Sequence, residues 1–185
     1  DPIWGEISDR TLPAPGNHEY KTPAAYAYFD YWGQQAGPER RGYYAVTHDN
    51  WLILSLNTEI PADPASAQGS WLAETLAASS EQCILAYYHR PAYSSQIRSG
   101  GGSEGDLFKQ LADAGADIII NGHNHLYERS YPMNSAGAVV AEDGTVSFVV
   151  GTGGRSPAAA IESAKFTEKA LFGERLDYRI PADPM

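Results

Sequence analysis

The chain has 185 residues, of which 43% are apolar and 19% charged, a composition typical of a folded domain and not of intrinsic disorder. Its formal net charge of −10 argues against broad nucleic-acid binding, because the neutralisation of phosphates requires clustered Lys and Arg. No apolar run reaches the length of a membrane span.

Hydrophobic periodicity and Gly, Pro and Asn breakers divide the chain into alternating helices and strands. In chain order we predict a loop at 16–19, a helix over 23–32, strands over 42–47 and 51–57, a helix over 68–78, a strand over 82–88, a flexible loop over 94–105, a helix over 106–114, and strands over 117–121 and 145–151. The turn His48-Asp49-Asn50 predicts a hairpin. Residues 156–185 are predicted to be loosely packed or partly helical. The alternation indicates the α/β class.

Cysteine content and the start of the chain leave the compartment open. Cys83 is the single cysteine, so no disulfide can form within the chain, and many exported proteins have none. The opening Asp1-Pro2-Ile3-Trp4 lacks a basic start and an apolar stretch, so we expect no signal peptide here. We interpret this start as consistent with a processed or excised piece.

Histidines follow several of the predicted strands. In an extended chain, residues i and i+2 point the same way, so His123 and His125 can present two imidazoles to one metal or to two adjacent metals. Neutral imidazole suits Zn, Fe, Mn or Cu. Taken alone, His89 is interpreted as a solvated loop residue, and His48 keeps that interpretation because it lies in the hairpin turn.

The tetrapeptide Gly16-Asn17-His18-Glu19 offers a different ligand type. The carbonyl oxygen of Asn17 is a neutral, hard ligand, and His18 could point at substrate rather than at metal. Glu19 could fix the tautomer of His18 by accepting its second N–H. In isolation, however, this tetrapeptide is interpreted as a plain Gly-Asn turn.

Three motifs together carry a family resemblance. Gly16-Asn17-His18-Glu19, then Tyr88-His89-Arg90-Pro91, then Gly122-His123-Asn124-His125-Leu126-Tyr127-Glu128-Arg129 resemble the purple acid phosphatase branch of the calcineurin-like metallophosphoesterases. The resemblance runs from about Trp4 to Gly154. It implies a four-layer α-β-β-α sandwich with mixed sheets, in which 1–154 form a catalytic domain that lacks its first metal-binding motifs. Residues 155–185 would be the C-terminal tail of that domain.

The resemblance also implies a role for each motif residue. Asn17 would be a ligand bridging toward a second metal that His89 and His123 complete, and His125 would bind the first metal. His18 would contact the phosphate and act as a general acid or an electrostatic stabiliser for the leaving oxygen, oriented by Glu19. The cofactor would be Fe paired with Zn, Mn or Fe. Two such cations about 3.5–4 Å apart would hold a hydroxide and neutralise phosphate oxygens.

The chain departs from the family pattern before Gly16. No carboxylate motif of the first metal precedes that residue, and the single Gly-Asp pair, Gly105-Asp106, is interpreted as a helix cap. We therefore expect this chain to hold one metal or none, with a missing N-terminal half or a second chain completing the fold.

Arginines are the remaining candidates near the motifs. The loop after the 82–88 strand lacks the histidine that the family usually places there, and Arg98 is the substrate-binding candidate in its place, with an exposed loop arginine as the alternative. Arg90 and Arg129 are interpreted as structural, paired with Glu128 or another carboxylate.

Two functions from different classes follow. The first is a metal-dependent phosphoric ester hydrolase, either a phosphomonoesterase or a phosphodiesterase, with a phosphate ester as substrate. The second is a catalytically incomplete fragment that acts as a metal- or partner-binding module. Membrane and nucleic-acid partners are not expected, and the resemblance alone implies a secreted or periplasmic location.

Overall fold

The computed structural model describes residues 5–95 and 102–153, together with the backbone of 167–171. Within these residues, seven strands form one mixed sheet in the order β1-β2-β3-β4-β6-β5-β7. The strands are β1 (Tyr44–His48), β2 (Trp51–Ser55), β3 (Cys83–Tyr88), β4 (Ile118–Asn121), β5 (Tyr127–Ser130), β6 (Val146–Val150) and β7 (Thr167–Leu171). The α/β class predicted from the sequence is confirmed.

Three α-helices accompany the sheet: α1 (Tyr26–Trp32), α2 (Ala67–Ala78) and α3 (Ser103–Asp113). Helix α2 begins behind Ser66, whose Oγ accepts the N–H of Gly69 at 3.0 Å, as a helix N-cap does. No helix in the described ranges combines the length and apolarity that a membrane crossing requires.

Helix α3 begins earlier than the sequence predicts. It starts at Ser103, so the end of the predicted 94–105 loop is helical. Asp106 lies inside the first turn and is not the cap. Its carboxylate and that of Glu104 stand in that turn, where the helix dipole favours negative charge. The prediction placed Gly105 in the loop because glycine is a poor helix former.

The predicted hairpin is confirmed. Strands β1 and β2 pair antiparallel, with His48 opposite Trp51. His48 therefore belongs to β1, and the turn consists of Asp49 and Asn50. Asp49 has a φ of 50°, in the left-handed region that Asp and Asn tolerate better than most residues.

The main core lies between one face of the sheet and helices α2 and α3. Leu54, Ala86 and Ile119 are register partners on this face, and each is fully buried. Leu72 of α2 and Leu107 of α3 belong to the same buried cluster. Each such leucine contributes roughly 1.5–3 kcal/mol by leaving water, so this layer fixes the parallel strands and the loops that follow them.

The second face of the sheet carries an apolar row whose side chains stay partly exposed. One row runs across five strands in register: Val46, Ile53, Leu85, Ile118 and Val146. All five are only partly buried. Apolar residues on both faces are typical of sheets covered on both sides.

Two strands were not predicted from the sequence. Strand β5 lies inside the eight-residue motif block, and β7 lies in the tail that we predicted to be loosely packed or partly helical. The backbone of β7 instead pairs antiparallel with β5, with Tyr127 opposite Leu171. For 167–171 the prediction is wrong, because pairing with an available sheet edge overrides a local sequence preference.

Candidate metal centre

The segment before the first motif lies across the second face of the sheet. The carbonyl oxygen of Pro13 accepts hydrogen bonds from Tyr44 Oη at 2.9 Å and from Ser55 Oγ at 3.0 Å. Tyr44 Oη also lies 3.1 Å from Tyr87 Oη. Side chains of β1 and β2 thus hold the backbone that leads to Gly16.

A tight turn then presents Asn17. The N–H of Glu19 donates to the carbonyl of Gly16 at 3.2 Å, and Glu19 Oε2 accepts the N–H of Gly16 at 2.8 Å. The turn is therefore closed by its own backbone and by one carboxylate. Gly16 is needed for space, since a Cβ there would lie 2.6 Å from Cγ of His89.

Two parallel strands deliver the histidines. Tyr88 at the end of β3 is the register partner of Asn121 at the end of β4, and the N–H of Gly122 donates to the carbonyl of His89 at 3.0 Å. The residues just past both carboxyl ends therefore meet, as ligand-binding residues do in open α/β sheets. His89 and His123 face each other edge to face, with ring centroids 4.9 Å apart.

Three side-chain atoms converge there. His89 Nε2 lies 2.7 Å from Asn17 Oδ1 and 3.1 Å from His123 Nδ1. Ligand atoms about 2.1 Å from one cation are about 3.0–3.4 Å apart at angles of roughly 90–110°. The two separations come within about 0.3 Å of that range, so each pair of atoms is spaced as two ligands of one cation are.

The number of protons available to the hydrogen bonds in this cluster also favours a metal site. An amide oxygen only accepts, so the contact at 2.7 Å requires a proton on His89 Nε2. The contact of His89 with His123 Nδ1 must then share that same proton. One small cation in place of the proton would satisfy Asn17, His89 and His123 at once.

Burial keeps His89 in the form that ligation requires. Desolvation by burial, with a smaller contribution from the neighbouring His123, lowers the pKa of His89 to about 4. Metal ligation requires the neutral imidazole. The donor set of one amide oxygen and two neutral imidazoles suits Zn, Fe, Mn or Cu.

His18 stands apart from the cluster and is exposed. Its Nδ1 lies 3.2 Å from Nζ of Lys21. Because an ammonium group only donates, Nδ1 accepts and the proton of the neutral ring lies on Nε2. Lys21 was not singled out from the sequence, although its spacing of three residues on a helical turn is the one signal that could have suggested it.

The expected contact between Glu19 and His18 is not found. The carboxylate of Glu19 is bonded to Gly16 instead, and among the described residues no hydrogen bond joins it to His18. Glu19 thus shapes the loop that carries Asn17, and the side chain that contacts the ring of His18 is that of Lys21.

His125 is half-buried, and within the described residues no hydrogen bond links it to Asn17 or His89. The prediction that it points the same way as His123 assumed an extended chain. The backbone instead turns: His123 has a φ of 62°, and the N–H of Asn124 donates to the carbonyl of Gly122 at 2.7 Å. Asn124 between the histidines is 1% exposed, and neither polar atom of its amide has a hydrogen-bond partner in the described part of the chain.

Arg90 is structural in the sense predicted, but its carboxylate partner is Glu59. Its Nε lies 2.6 Å from Glu59 Oε1 and its Nη2 3.1 Å from Oε2. This hydrogen bonding raises the pKa of Arg90. Glu128 instead accepts from Ser94 Oγ at 2.6 Å and from the N–H of Ser95 at 2.9 Å. No sequence signal points to Glu59, which lies 31 residues from Arg90.

The remaining predicted groups lie elsewhere. Arg98 falls outside the described residues. Arg129 places its guanidinium 5.8 Å from the centroid of the Phe148 ring. Across the described residues, no group of three or more His, Cys, Asp or Glu side chains is arranged as a metal site, so the cluster depends on Asn17 for its third ligand.

Comparisons with a family model and with known proteins identify similar sequences. The calcineurin-like phosphoesterase family model matches residues 3–127. Purple acid phosphatase 15 of Arabidopsis thaliana is 29% identical over 185 residues, covering 87% of this chain and 34% of the plant protein. An uncharacterized protein of Mycobacterium tuberculosis is 26% identical over 189 residues, covering 78% of this chain and 35% of that protein.

Among solved structures, purple acid phosphatase PPD1 from yellow lupin (Lupinus luteus) seeds matches with a TM-score of 0.65 and 23% identity, over 76% of this chain and 29% of that chain. This likeness confirms the predicted fold. The resemblance stated from the three motifs is confirmed by the family model and by these relatives. The chain spans about a third of the length of the curated relatives it matches.

Proposed function

The chain belongs to the calcineurin-like phosphoesterase family, and from that premise we propose that the protein hydrolyses phosphoric esters with metal ions held in part by Asn17, His89 and His123. The observation that carries the proposal is the convergence of one amide oxygen and two imidazole nitrogens within 2.7 and 3.1 Å. These three residues come from segments 72 and 34 residues apart. The fold therefore brings these residues together, and their positions in the sequence do not.

Metal ions at this place would polarise a phosphoryl oxygen and neutralise its developing charge, which an acidic chain needs for an anionic substrate. The chain's own residues have other tasks. His89 and His123 present neutral nitrogens, and the turn closed by Glu19 aims the Asn17 oxygen at them. Gly16 leaves room for the His89 ring.

His18 is the proposed general acid. It adjoins Asn17 in the chain, is exposed, and carries its proton on Nε2 because Lys21 faces Nδ1. That proton is free to pass to the leaving oxygen of the ester. Such protonation contributes roughly 10²–10⁴ in rate.

The full protein is proposed to use two metals, Fe with Zn, Mn or Fe, as the family resemblance implies. His125 is the proposed ligand of the other metal, with carboxylates supplied from outside the described residues by a preceding segment or by a second chain. A phosphomonoester or a phosphodiester is the proposed substrate. A secreted or periplasmic location is proposed on the same resemblance.

One observation favours the second candidate function for this chain taken alone. Among the described residues no three His, Cys, Asp or Glu side chains are placed to hold a metal, and Glu19, next to the cluster, already binds Gly16. A chain that holds one metal or none would act as a metal- or partner-binding module.

The test combines metal content with turnover. The chain and a longer protein that contains it would be dialysed against metal-free buffer, analysed for bound metal, and assayed with p-nitrophenyl phosphate and bis-p-nitrophenyl phosphate. We expect two metals and turnover in the longer protein, and one metal or none with little turnover in the chain. A folded longer protein without bound metal or turnover would contradict the proposal.

A control separates the cluster from other histidines. Replacing His89 or His123 by Ala should release the metal, whereas replacing His48 by Ala should leave metal content and turnover unchanged. His48 has a side chain 79% exposed on a hairpin strand. Equal effects of all three substitutions would mean that metal retention is not specific to the cluster.

A further inference from the structure

Asn57 lies just beyond the end of β2 and is 0% exposed. Its side-chain amide is hydrogen-bonded at both ends. Nδ2 donates to Tyr20 Oη at 2.8 Å and to the carbonyl oxygen of Arg41 at 3.4 Å, and Oδ1 accepts the N–H of Glu59 at 3.0 Å. A backbone N–H only donates and a carbonyl oxygen only accepts, so these backbone partners fix which end of the amide is the donor.

The backbone of Asn57 is held by helix α2. Gln68 accepts the N–H of Asn57 with Oε1 at 2.8 Å and donates from Nε2 to the carbonyl oxygen of Asn57 at 2.9 Å. Gln68 is 1% exposed and lies at the beginning of α2, which packs on the main core through Leu72. A fully bonded, buried polar network of this kind is rigid, so Asn57 keeps its place relative to the core.

One partner of the Asn57 amide belongs to the loop that carries Asn17. Tyr20 directly follows Glu19, whose carboxylate accepts the N–H of Gly16 and closes the Asn17 turn. Tyr20 lies in the short 3-10 helix Glu19–Lys21 that continues this turn. Its hydroxyl reaches Asn57 across 37 positions of sequence, so this hydrogen bond fastens the turn to the end of β2.

The other partner leads to the loop that carries His89. Glu59 gives its N–H to Asn57 and binds the guanidinium of Arg90, the residue after His89, at 2.6 and 3.1 Å. The Arg90 and Glu59 side chains are 30% and 12% exposed, so the pair is shielded from water and has the bidentate geometry that makes such pairs strong. Asn57 therefore stands between the two loops and is connected to both.

Direct packing between the two loops limits only how closely they approach. Gly16 lies against the ring of His89, and this contact resists a shorter distance. It opposes separation weakly, because the attraction between a few non-bonded atoms is small. A metal site requires its ligand atoms within about 0.2 Å of their preferred distances, and hydrogen bonds that tie each loop to one buried residue supply the restraint against separation.

We propose that Asn57 is a positioning residue that holds the Asn17 turn and the His89 loop at the spacing that one metal ion requires. The inference rests on the proposed function, because it takes Asn17 and His89 to be metal ligands. Asn57 acts through Tyr20 on one side and through Glu59 on the other. Breaking either connection should therefore weaken metal binding although no ligand is removed.

The variants separate this role from a general loss of stability. Tyr20→Phe removes one hydroxyl and breaks a single connection. Tyr28→Phe is its matched control, because Tyr28 belongs to the cluster against which Tyr20 packs and its hydroxyl has no hydrogen-bond partner among the described residues. Asn57→Ala breaks both connections and also leaves the N–H of Glu59 without its acceptor, which lowers stability. Leu111→Ala controls for that loss, since it opens a cavity beneath α3 in the core.

The affinity test uses the full 185-residue chain with zinc and cobalt(II) as probes. Isothermal titration calorimetry gives the zinc dissociation constants, and the visible absorption of bound cobalt(II) reports the coordination geometry. We expect Tyr20→Phe to bind zinc about tenfold more weakly with an altered cobalt(II) spectrum, and Asn57→Ala to show a larger effect of the same kind. Tyr28→Phe and Leu111→Ala should keep the wild-type affinity and spectrum. Wild-type values in folded Tyr20→Phe, or equal weakening in Leu111→Ala, would overturn the inference.

A readout on metal-free protein distinguishes this inference from the proposed function. The N–H of Gly16 is bonded to Glu19 in a buried part of the turn, so its hydrogen exchange, followed by NMR in EDTA, reports opening of the Asn17 turn. We expect exchange about fivefold faster in Tyr20→Phe than in the wild type and Tyr28→Phe, as for one lost hydrogen bond. Unchanged exchange would overturn the inference. Absence of zinc binding by the wild type would contradict the metal site of the proposed function, and the exchange of Gly16 would still decide whether Asn57 holds the turn.

Discussion

Gly16 and His89 lie against each other so closely that a Cβ on residue 16 would come within 2.6 Å of the ring carbon Cγ of His89. Residue 16 therefore has to be glycine because the imidazole leaves no room for a side chain, and not because the backbone adopts an unusual angle. Gly16 and His89 are 73 positions apart in the chain, so this contact packs the first motif directly against the second.

Replacing Gly16 by Ala should disturb both stability and the cluster. The added methyl group must push the His89 ring away, and overpacking of this kind costs about 1–3 kcal/mol. We expect a lower free energy of unfolding in denaturant titrations and weaker zinc binding.

Gly105→Ala is the matched control for that substitution. A Cβ at residue 105 meets nothing within 4 Å, and the residue lies in α3, where alanine is favoured by roughly 0.5–1 kcal/mol. We expect unchanged zinc binding and equal or greater stability. If Gly105→Ala weakened zinc binding as much as Gly16→Ala, the packing explanation would be wrong.

His18→Ala in the longer protein should cut turnover about 10²–10⁴-fold while leaving metal content intact, because His18 is proposed to protonate the leaving group and not to bind metal. Turnover would be measured with p-nitrophenyl phosphate and metal by elemental analysis. His48→Ala is the control and should change neither. Loss of metal from His18→Ala would show that His18 is a ligand.

Metal-free protein should lose stability as the pH falls from about 6.5 to 4. Burial lowers the pKa of His89 from 6.5 to about 4. Between these pH values His89 is therefore protonated in the unfolded chain and neutral in the folded chain. The contribution is fully present above pH 6.5 and amounts to about 3 kcal/mol at most. Denaturant titrations in EDTA at several pH values would measure it.

His89→Gln should flatten that pH dependence, since glutamine does not titrate, whereas the exposed His48→Gln should keep it. An unchanged slope in His89→Gln would mean that other groups cause the loss of stability.

Glu128→Ala should destabilise the fold by about 3 kcal/mol, because it leaves the buried hydroxyl of Ser94 and the N–H of Ser95 without their charged acceptor. Glu128 is 3% exposed. Glu142→Ala, at an exposed site, should change the free energy of unfolding by less than about 0.5 kcal/mol. Both values come from urea titrations, and similar losses for the two variants would contradict the role given to Glu128.

The sequence allowed the strand-to-loop transitions at His89 and His123 to be predicted, because a buried apolar run that ends in polar residues is a local signal. The relation of His123 to His125 was not predictable in the same way. It depended on an extended backbone, and the positive φ of His123 turns the chain there. The Arg90–Glu59 pair and the Lys21–His18 contact depend on tertiary placement or on rotamers, which periodicity does not encode.

Strands β5 and β7 show the same limit for the fold. Tyr127–Ser130 contains Glu and Arg, and Thr167–Leu171 contains Glu and Lys, so neither has strand-like alternation of apolar and polar residues. Each is a strand because a neighbouring strand offers it a hydrogen-bonding edge. Whether such a segment forms a strand depends on pairing partners that are distant in the sequence.

The in-register row of Val46, Ile53, Leu85, Ile118 and Val146 has a consequence for where the stability of this molecule resides. If a further layer removed only about 400 Å² of that apolar surface from water, the gain would be about 10 kcal/mol. A whole domain is typically stable by about 5–15 kcal/mol. A layer that covers the row would therefore contribute a gain as large as the net stability of a whole domain.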